Sequence, residues 1–316
     1  MILALQIVGG FIGLLIGGEL LVRGASAVAV RLGISPLVVG VVIVGFGTSA
    51  PELVTCVRAA LGGSPGIAVG NIVGSNIANI LLILGAAAFL RPFSASRKAV
   101  VRDGSIVIAT AVAFMAASFM GVIDRTVGAV FVLALIAYLA YTISTDRANP
   151  SAEIEDVPAP SEVGLGKAMV HLALGVIIVV VGAEFLVDGA VEVARLFDVS
   201  EEVIGLTMVA IGTSLPELAT SIMAAIKKHS ELALGNVLGS NVYNTIGIGG
   251  ITALVQPVPV SQTMQYFDIP LMVGISVLLV VVVATGKRVT RWEGALLLML
   301  YGGYIAFQSQ VGAITA

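Results

Sequence analysis

Two glutamates stand within long apolar stretches of this chain, where an ionised side chain is costly to bury. Glu52 ends the hexapeptide GTSAPE at 47–52, and Glu217 ends the hexapeptide GTSLPE at 212–217. Neither glutamate has a lysine or arginine nearby on its helix to pair with. An ionisable residue within a membrane span usually marks an ion or proton pathway. The pair therefore predicts cation or proton movement across a membrane.

Both hexapeptides belong to a longer segment that occurs twice, at a constant offset of 165 residues. The first copy continues with GNIVGSNIAN at 70–79, and the second with GNVLGSNVYN at 235–244. The duplication extends upstream, because 18–25 aligns with 183–190 at the same offset. Whole helices were therefore duplicated. Duplicated, proline-interrupted helices favour a transporter built from internal repeats.

The repeated segments supply oxygen donors and no thiolate or imidazole. Thr48 and Glu52 are four residues apart, as are Ser75 and Asn79, so each pair shares one face of a near-helical backbone. Oxygen donors of this kind favour Ca²⁺ and Na⁺ over zinc or copper. The candidate side-chain ligands are Thr48, Ser49, Glu52, Ser75, Asn79, Thr213, Ser214, Glu217, Ser240 and Asn244.

Two prolines add backbone oxygens to these donors. Pro51 and Pro216 fall near the middle of their spans and lack an N–H, so the carbonyls near Gly47 and Gly212 lose their helical partners. Irregular backbone at membrane depth is tolerated where it lines a polar cavity. The freed carbonyls are therefore further candidate ligands for a hard cation.

The composition predicts an all-α integral membrane protein. Of the 316 residues, 58% are hydrophobic and 11% charged, and the mean hydropathy is +1.08. Soluble domains carry about 25% charged residues, so membrane lipid must cover most of this surface. The net charge of −3 and the absence of a basic patch argue against nucleic acid as a partner. The sequence identifies no protein partner, and it is compatible with a monomer.

Ten spans are predicted, as two inverted repeats of five. Their approximate ranges are 2–30, 36–61, 66–90, 103–123, 126–144, 166–196, 201–226, 231–255, 267–286 and 292–308. The acidic, proline-containing stretch 145–165 reads as a cytoplasmic linker between the repeat at 1–144, with its motif at 45–85, and the repeat at 166–316, with its motif at 210–250. An odd number of spans per repeat inverts the second repeat relative to the first.

Basic residues predict the orientation of a multi-pass protein in the cell membrane. Lysines and arginines follow spans three, seven and nine, at 91–102, 227–228 and 287–291. Loops rich in these residues stay in the cytoplasm. Both termini are therefore expected outside the cytoplasm.

At the repeated residues the chain resembles the sodium/calcium exchanger family of the calcium/cation antiporter superfamily. The two copies are similar to that family's α-repeats, GTSxPE followed by GNxxGSN, and the likeness covers essentially the whole chain. The resemblance implies ten helices, with spans two, three, seven and eight forming the ion site. It adds the backbone carbonyls of Gly45 and Ala210 to the ligands. It also implies that the long first and sixth helices slide to switch access.

The resemblance also bears on the driving ion. Several family members, including potassium-dependent exchangers, have an aspartate where this chain has Asn244. Because both copies end in asparagine, at Asn79 and Asn244, the site has two formal negative charges, which argues against potassium dependence. Proton-coupled relatives tend to carry GNAxxE in place of GTSxPE, which favours sodium.

The expected function is therefore calcium and sodium transport by antiport, with both ions as substrates and no bound cofactor. Calcium–proton exchange remains the closest alternative, with Glu52 and Glu217 as proton carriers. A cation channel is a more distant one, because channels usually assemble around a symmetric pore. No intramembrane HExxH or paired-aspartate protease motif is present, so an enzyme is not expected.

Overall fold

The computed structural model describes residues 2–93, 97–148, 164–196, 210–285 and 289–315, and this part of the chain is almost entirely helical. In the first half the helices are α1 (Ile2–Leu32), α2 (Pro36–Thr48), α3 (Ala50–Leu61), α4 (Pro65–Leu90), α5 (Arg97–Ser118) and α6 (Arg125–Ala148). In α2 and α4 the pattern changes to π-helical at Gly40–Val44 and Asn79–Leu84.

The second half of the described chain repeats this order. Its helices are α7 (Leu165–Leu196), α8 (Ala210–Thr213), α9 (Leu215–Ile226), α10 (Ser230–Val242, π-helical Tyr243–Ile248 and Gly249–Val255), α11 (π-helical Met264–Asp268 and Ile269–Thr285) and α12 (Arg291–Thr315). The ends of α3 and α9 and the start of α4 and α10 lie at equivalent positions of the two repeats. A short antiparallel ribbon of β1 (Val122–Ile123) and β2 (Val258–Pro259) is the other regular element among the described residues.

Length and hydropathy identify fewer spans than the ten that the sequence predicts. Within the described ranges, six helices are long and apolar enough to cross a membrane, and the bent pair α2 and α3 would make a seventh. Part of the predicted seventh span, 201–209, lies outside the described residues. The all-helical membrane architecture agrees with the prediction, and the count of ten stays an expectation.

The predicted linker at 145–165 begins later than expected. Helix α6 continues to Ala148, and the stretch 149–163 lies outside the described residues. Asp146 is buried in the last turn of α6, where its Oδ2 accepts the backbone N–H of Ser35 at 2.7 Å. Ser35 in turn caps the start of α2. The carboxylate therefore belongs to the helical body, because it satisfies a backbone donor that α2 leaves unpaired.

Contacts gather the loops into two groups. After α4, Arg91 donates from Nη1 to the carbonyl of Ile226 at the end of α9, and Phe93 pairs with Val289 after α11. Elsewhere, β1 after α5 pairs with β2 after α10. The loops of the first group are those that the positions of the basic residues predict to lie on the same side of the membrane.

The helices that carry the repeated motifs occupy the centre of the molecule. Most of α4 is buried, whereas only a third or less of α1 and α7 is. Helices α1 and α7 cross closely through small residues, because a Cβ added at Gly24 would lie 2.5 Å from the backbone nitrogen of Leu172 and one at Gly175 would lie 2.4 Å from that of Leu21. Such small-residue contacts let membrane helices pack backbone to backbone.

Helix α10 packs against α2 in the same way. A Cβ added at Gly235 would lie 2.2 Å from the carbonyl oxygen of Leu37, and one at Gly239 would lie 2.6 Å from that of Val41. No side chain fits in either gap. These two glycines of the second motif therefore set the distance at which the two halves meet.

Alanine at Gly235 or Gly239 should consequently force α10 away from α2 and destabilise the protein. Overpacking of a close contact costs about 1–3 kcal/mol, and the midpoint of thermal unfolding in detergent measures the loss. Gly274→Ala is the matched control, since a Cβ there meets nothing within 4 Å. Equal midpoints for Gly235→Ala and Gly274→Ala would contradict this account of the contact.

Candidate functional site

Both proline-containing segments are interrupted at the serine of their hexapeptide. The axes of α2 and α3 differ by 43° across Ser49. Ser214 separates α8 from α9 with nearly the same backbone angles, φ −90° and ψ 4°, against −84° and 6° at Ser49. Pro51 and Pro216 each lie in the first turn after the break. Because neither has an N–H, the carbonyls four residues earlier lose their helical donors.

The serines and glutamates of the two hexapeptides bond to each other across the halves. Ser49 Oγ donates to Glu217 Oε1 at 3.0 Å, and Ser214 Oγ donates to Glu52 Oε1 at 3.3 Å. All four residues are buried, with at most 4% of their surface exposed. Each half therefore supplies a serine hydroxyl that bonds to the carboxylate of the other half, and the candidate site lies where the halves meet.

The second oxygen of each carboxylate has no partner. Glu52 Oε2 and Glu217 Oε2 are both buried without a hydrogen bond, and within the described ranges neither carboxylate forms an ion pair. Burying an ionised carboxylate without compensation costs several kcal/mol. Unsatisfied buried polar atoms in a folded protein call for an explanation such as a bound ion. Two unpaired carboxylate oxygens at one interface fit a cation.

Several neutral ligand candidates also offer unpaired atoms. The amide oxygen and nitrogen of Asn79, the hydroxyl of Ser240 and the amide oxygen of Asn244 are buried without a hydrogen-bond partner. Ser75 is tied to the centre directly, because Ser214 Oγ lies 3.4 Å from its hydroxyl. The structure therefore joins Ser75 to the serine–glutamate pairs and leaves the other three with atoms free for a ligand.

The two threonines are held by asparagines of the opposite half. Thr48 Oγ1 lies 3.2 Å from Asn236 Oδ1 and 3.0 Å from the carbonyl of Val44, either of which can accept its proton. Thr213 Oγ1 accepts from Asn71 Nδ2 at 3.3 Å. Thr48 is fully buried and Thr213 half-buried. Both threonines thus lie at the interface of the halves, beside the serines of their hexapeptides.

The backbone candidates occupy the turns before the breaks. The carbonyl of Gly45 accepts the N–H of Ser49 at 3.1 Å and lies 3.5 Å from the Thr48 hydroxyl, which can donate to it or to the closer carbonyl of Val44. Ala210 is the first residue of α8, three residues before Thr213. Both residues with predicted backbone ligands, Gly45 and Ala210, therefore lie within the described part of the chain, in the turns that precede the two helix breaks.

Asn71 and Asn236 were missed as site residues by sequence reasoning. Asn236 Nδ2 donates to Ser221 Oγ at 2.9 Å and to the carbonyl of Glu217 at 3.3 Å. Asn71 Oδ1 accepts from Cys56 Sγ at 3.6 Å. The signal was present in the sequence, since both asparagines occupy the same position of the repeat.

The donor set defines what the site can hold. Carboxylate, hydroxyl, amide and carbonyl oxygens are the ligands of hard cations such as Ca²⁺. No cluster of three or more histidine, cysteine, aspartate or glutamate side chains occurs within the described ranges. With two carboxylates and several neutral oxygens, the site can neutralise one divalent cation or two monovalent ones.

A multi-pass membrane protein with a buried cluster of oxygen donors between its two halves is the class that the fold and this geometry define. The family model described as sodium/calcium exchanger protein matches residues 2–144 and 167–310. The chain belongs to the sodium/calcium exchanger family, whose members are transporters rather than enzymes.

Curated relatives resemble the chain along almost its whole length. The sodium/calcium exchanger MaX1 of Methanosarcina acetivorans is 33% identical, with 94% of this chain and 95% of the relative covered. A putative antiporter, CaxA of Alkalimonas amylolytica, is 34% identical over 93% of this chain and 95% of the relative.

A solved structure of the sodium-calcium exchanger NCX_Mj, soaked with Na⁺ and Sr²⁺, superposes with a TM-score of 0.83 at 33% identity. The match covers 96% of this chain and 98% of that structure. The described helices are therefore those of an exchanger fold.

Replacing either glutamate by glutamine should remove cation binding. Glu52→Gln and Glu217→Gln keep the side-chain shape but halve the formal charge of the site. Removing one partner of a buried charge pair costs about 3–5 kcal/mol, so Ca²⁺ affinity should fall on the order of 100-fold or more. The shift in the thermal unfolding midpoint of the purified protein upon Ca²⁺ addition measures this.

Glu184→Gln serves as the matched control, because Glu184 is an exposed glutamate on α7. It should keep the full Ca²⁺-dependent shift. A normal shift in Glu217→Gln would show that Glu217 is not a ligand.

Proposed function

We propose that the protein is a secondary antiporter that exports Ca²⁺ in exchange for Na⁺ by alternating access. The observation that carries the proposal is the reciprocal pairing of Ser49 with Glu217 and of Ser214 with Glu52, with the second oxygen of each carboxylate unpaired. The names of the relatives MaX1 and NCX_Mj, which are sodium/calcium exchangers, support the same ions. We propose as ligands the ten repeated side chains and the carbonyls of Gly45 and Ala210.

Competition for one set of ligands accounts for antiport without a chemical step. Two carboxylates balance the charge of one Ca²⁺ or of two Na⁺, and the neutral oxygens can hold further Na⁺. Because Ca²⁺ and Na⁺ would share these ligands, binding of one displaces the other. An empty site leaves two buried negative charges uncompensated, which disfavours crossing the membrane without an ion.

The proposed architecture is ten spans in two inverted repeats, with both termini outside. It is supported by the constant offset of 165 residues between the motifs and by the meeting of loops that follow α4, α9 and α11. The site would then lie near the midplane, at the repeat interface. Helices α1 and α7, which are largely exposed and contact each other through glycines, would slide along the central helices to open either side.

Calcium–proton exchange is the remaining candidate, because an unpaired buried carboxylate can also carry a proton. The hydroxyl-rich hexapeptides favour Na⁺, since they place neutral oxygens beside each glutamate. A flux measurement separates the two candidates.

Proteoliposomes loaded with Na⁺ should take up radiolabelled Ca²⁺ when diluted into Na⁺-free medium, without K⁺. If more than two Na⁺ move per Ca²⁺, uptake should be faster when Na⁺ leaves towards the negative side of an imposed potential, which contributes about 2.3 kcal/mol per net charge per 100 mV. Liposomes with Glu217→Gln protein provide the background. Uptake driven by a pH gradient alone, with Na⁺ inert, would establish the proton alternative instead.

Asn244 is proposed to set the balance between affinity and turnover. Asn244→Asp adds a third carboxylate to the site, with two oxygens, where the amide of Asn244 offers one neutral oxygen. Ca²⁺ should bind more tightly and leave more slowly, because an ion held too firmly is a poor transport substrate. The Ca²⁺ concentration that gives half-maximal exchange and the maximal exchange rate should therefore both fall. If neither changes, Asn244 does not line the transport site.

A further inference from the structure

Four of the six asparagines in the repeated motifs divide into two kinds by what their amides contact. Asn76 and Asn241 each donate to a carbonyl one turn back on their own helix, at 2.7 Å in both cases. Asn71 and Asn236 instead reach a threonine of the opposite half. The cross-half contact is therefore a property of one motif position and not of buried asparagine in general.

Each of these two asparagines is also anchored within its own half. Asn236 donates to Ser221 Oγ and to the carbonyl of Glu217, and Asn71 accepts from the thiol of Cys56. Because Asn236 bonds to Glu217 backbone and to the Thr48 hydroxyl, it connects ligand candidates from both halves. Its amide is fully buried, so these bonds have no competition from water.

The chemistry of a hydroxyl ligand explains why such a contact matters. A hydroxyl can coordinate a cation through its lone pairs only if its proton points elsewhere, and that proton needs an acceptor. The hydroxyls of Ser49 and Ser214 have the glutamates as acceptors. For Thr48 the acceptors are Asn236 Oδ1 and the carbonyl of Val44.

Asn71 makes the opposite contact, because it donates to the Thr213 hydroxyl and does not accept its proton. We propose that Asn236 is a positioning residue that orients the ligating Thr48 of the opposite half without touching the ion itself. This inference rests on the proposed function, because it assumes that Thr48 ligates the transported cations. Groups that orient metal ligands in this way typically contribute roughly 10- to 100-fold to affinity. Asn236→Leu, which keeps the approximate volume, should therefore weaken Ca²⁺ binding by a factor in that range.

The decisive test is whether that loss depends on the Thr48 hydroxyl. Asn236→Leu is made in wild type, in Thr48→Val, which lacks the hydroxyl, and in Thr48→Ser, which keeps it. Ca²⁺ affinity is measured by thermal shift of the purified full chain and by exchange in proteoliposomes. The loss should persist with Thr48→Ser and shrink to within about twofold with Thr48→Val, since residues that act together are non-additive.

Asn76→Leu is the matched control, and it should leave Ca²⁺ affinity near that of wild type in all three backgrounds. Asn236→Ala, made in the same three backgrounds, removes the same acceptor, so the test does not depend on one variant. An Asn236→Leu loss of equal size with and without the Thr48 hydroxyl would overturn the proposal. So would failure of both Asn236 variants to yield folded, monodisperse protein, because Asn236 would then be required for the fold itself, through its bonds to Ser221 and to the Glu217 carbonyl.

The test separates this proposal from the proposed function. If wild type neither binds nor exchanges Ca²⁺, the function is wrong. If wild type exchanges Ca²⁺ for Na⁺ while the losses are additive, the function stands and the positioning role is wrong.

Discussion

Two buried carboxylates with no basic partner among the described residues are the constraint on which the rest of this structure depends. Glu52 and Glu217 are 1% exposed, and each has one oxygen bonded to a serine and one unpaired. In a medium with no water to solvate them, such groups need a bound cation or a proton to neutralise them. Helix breaks, glycine contacts and asparagine bridges all bring oxygen atoms to this one place, so the fold is organised around a charge that the protein itself does not neutralise.

Duplication solves the problem of building such a site from helices. A single break exposes a few carbonyls and one carboxylate, which is too little to replace the hydration shell of an ion such as Ca²⁺, which takes about six to eight oxygens. Pairing two equivalent breaks doubles the donors, and the Ser49–Glu217 and Ser214–Glu52 bonds hold the copies in register. The close approach at Gly235 and Gly239 then fixes their separation. Local sequence and long-range contact therefore specify the same interface.

The sequence predicted the helical membrane class, the duplication and the buried positions of the glutamates, because each has a local signature in hydropathy or in a repeated motif. It did not predict the long-range partners. Asp146 was assigned to a linker because its surroundings are polar, yet it binds the Ser35 N–H 111 residues away. Asn71 and Asn236 were recognised as part of the repeated motif but were given no role. The repeat can mark such a residue, but the atom that it contacts in the other half of the chain has no signal in its own neighbourhood.

The two halves are similar but not equivalent, and the difference is physical. Tyr243 donates its hydroxyl to the carbonyl of Val42 at 3.0 Å, within the π-helical turn of α2, whereas the position equivalent to Tyr243 in the first repeat is Ala78, which has no donor. Ser221 likewise offers an oxygen to Asn236 where Cys56 offers a weaker thiol donor to Asn71. The second half therefore makes one bond to the π-helical turn of α2 that the first half does not return, and it anchors its own asparagine with a stronger hydrogen bond. Under the proposed alternating access, two arrangements related by exchanging the halves would consequently differ in free energy, and preferential ion binding to one of them would offset that difference.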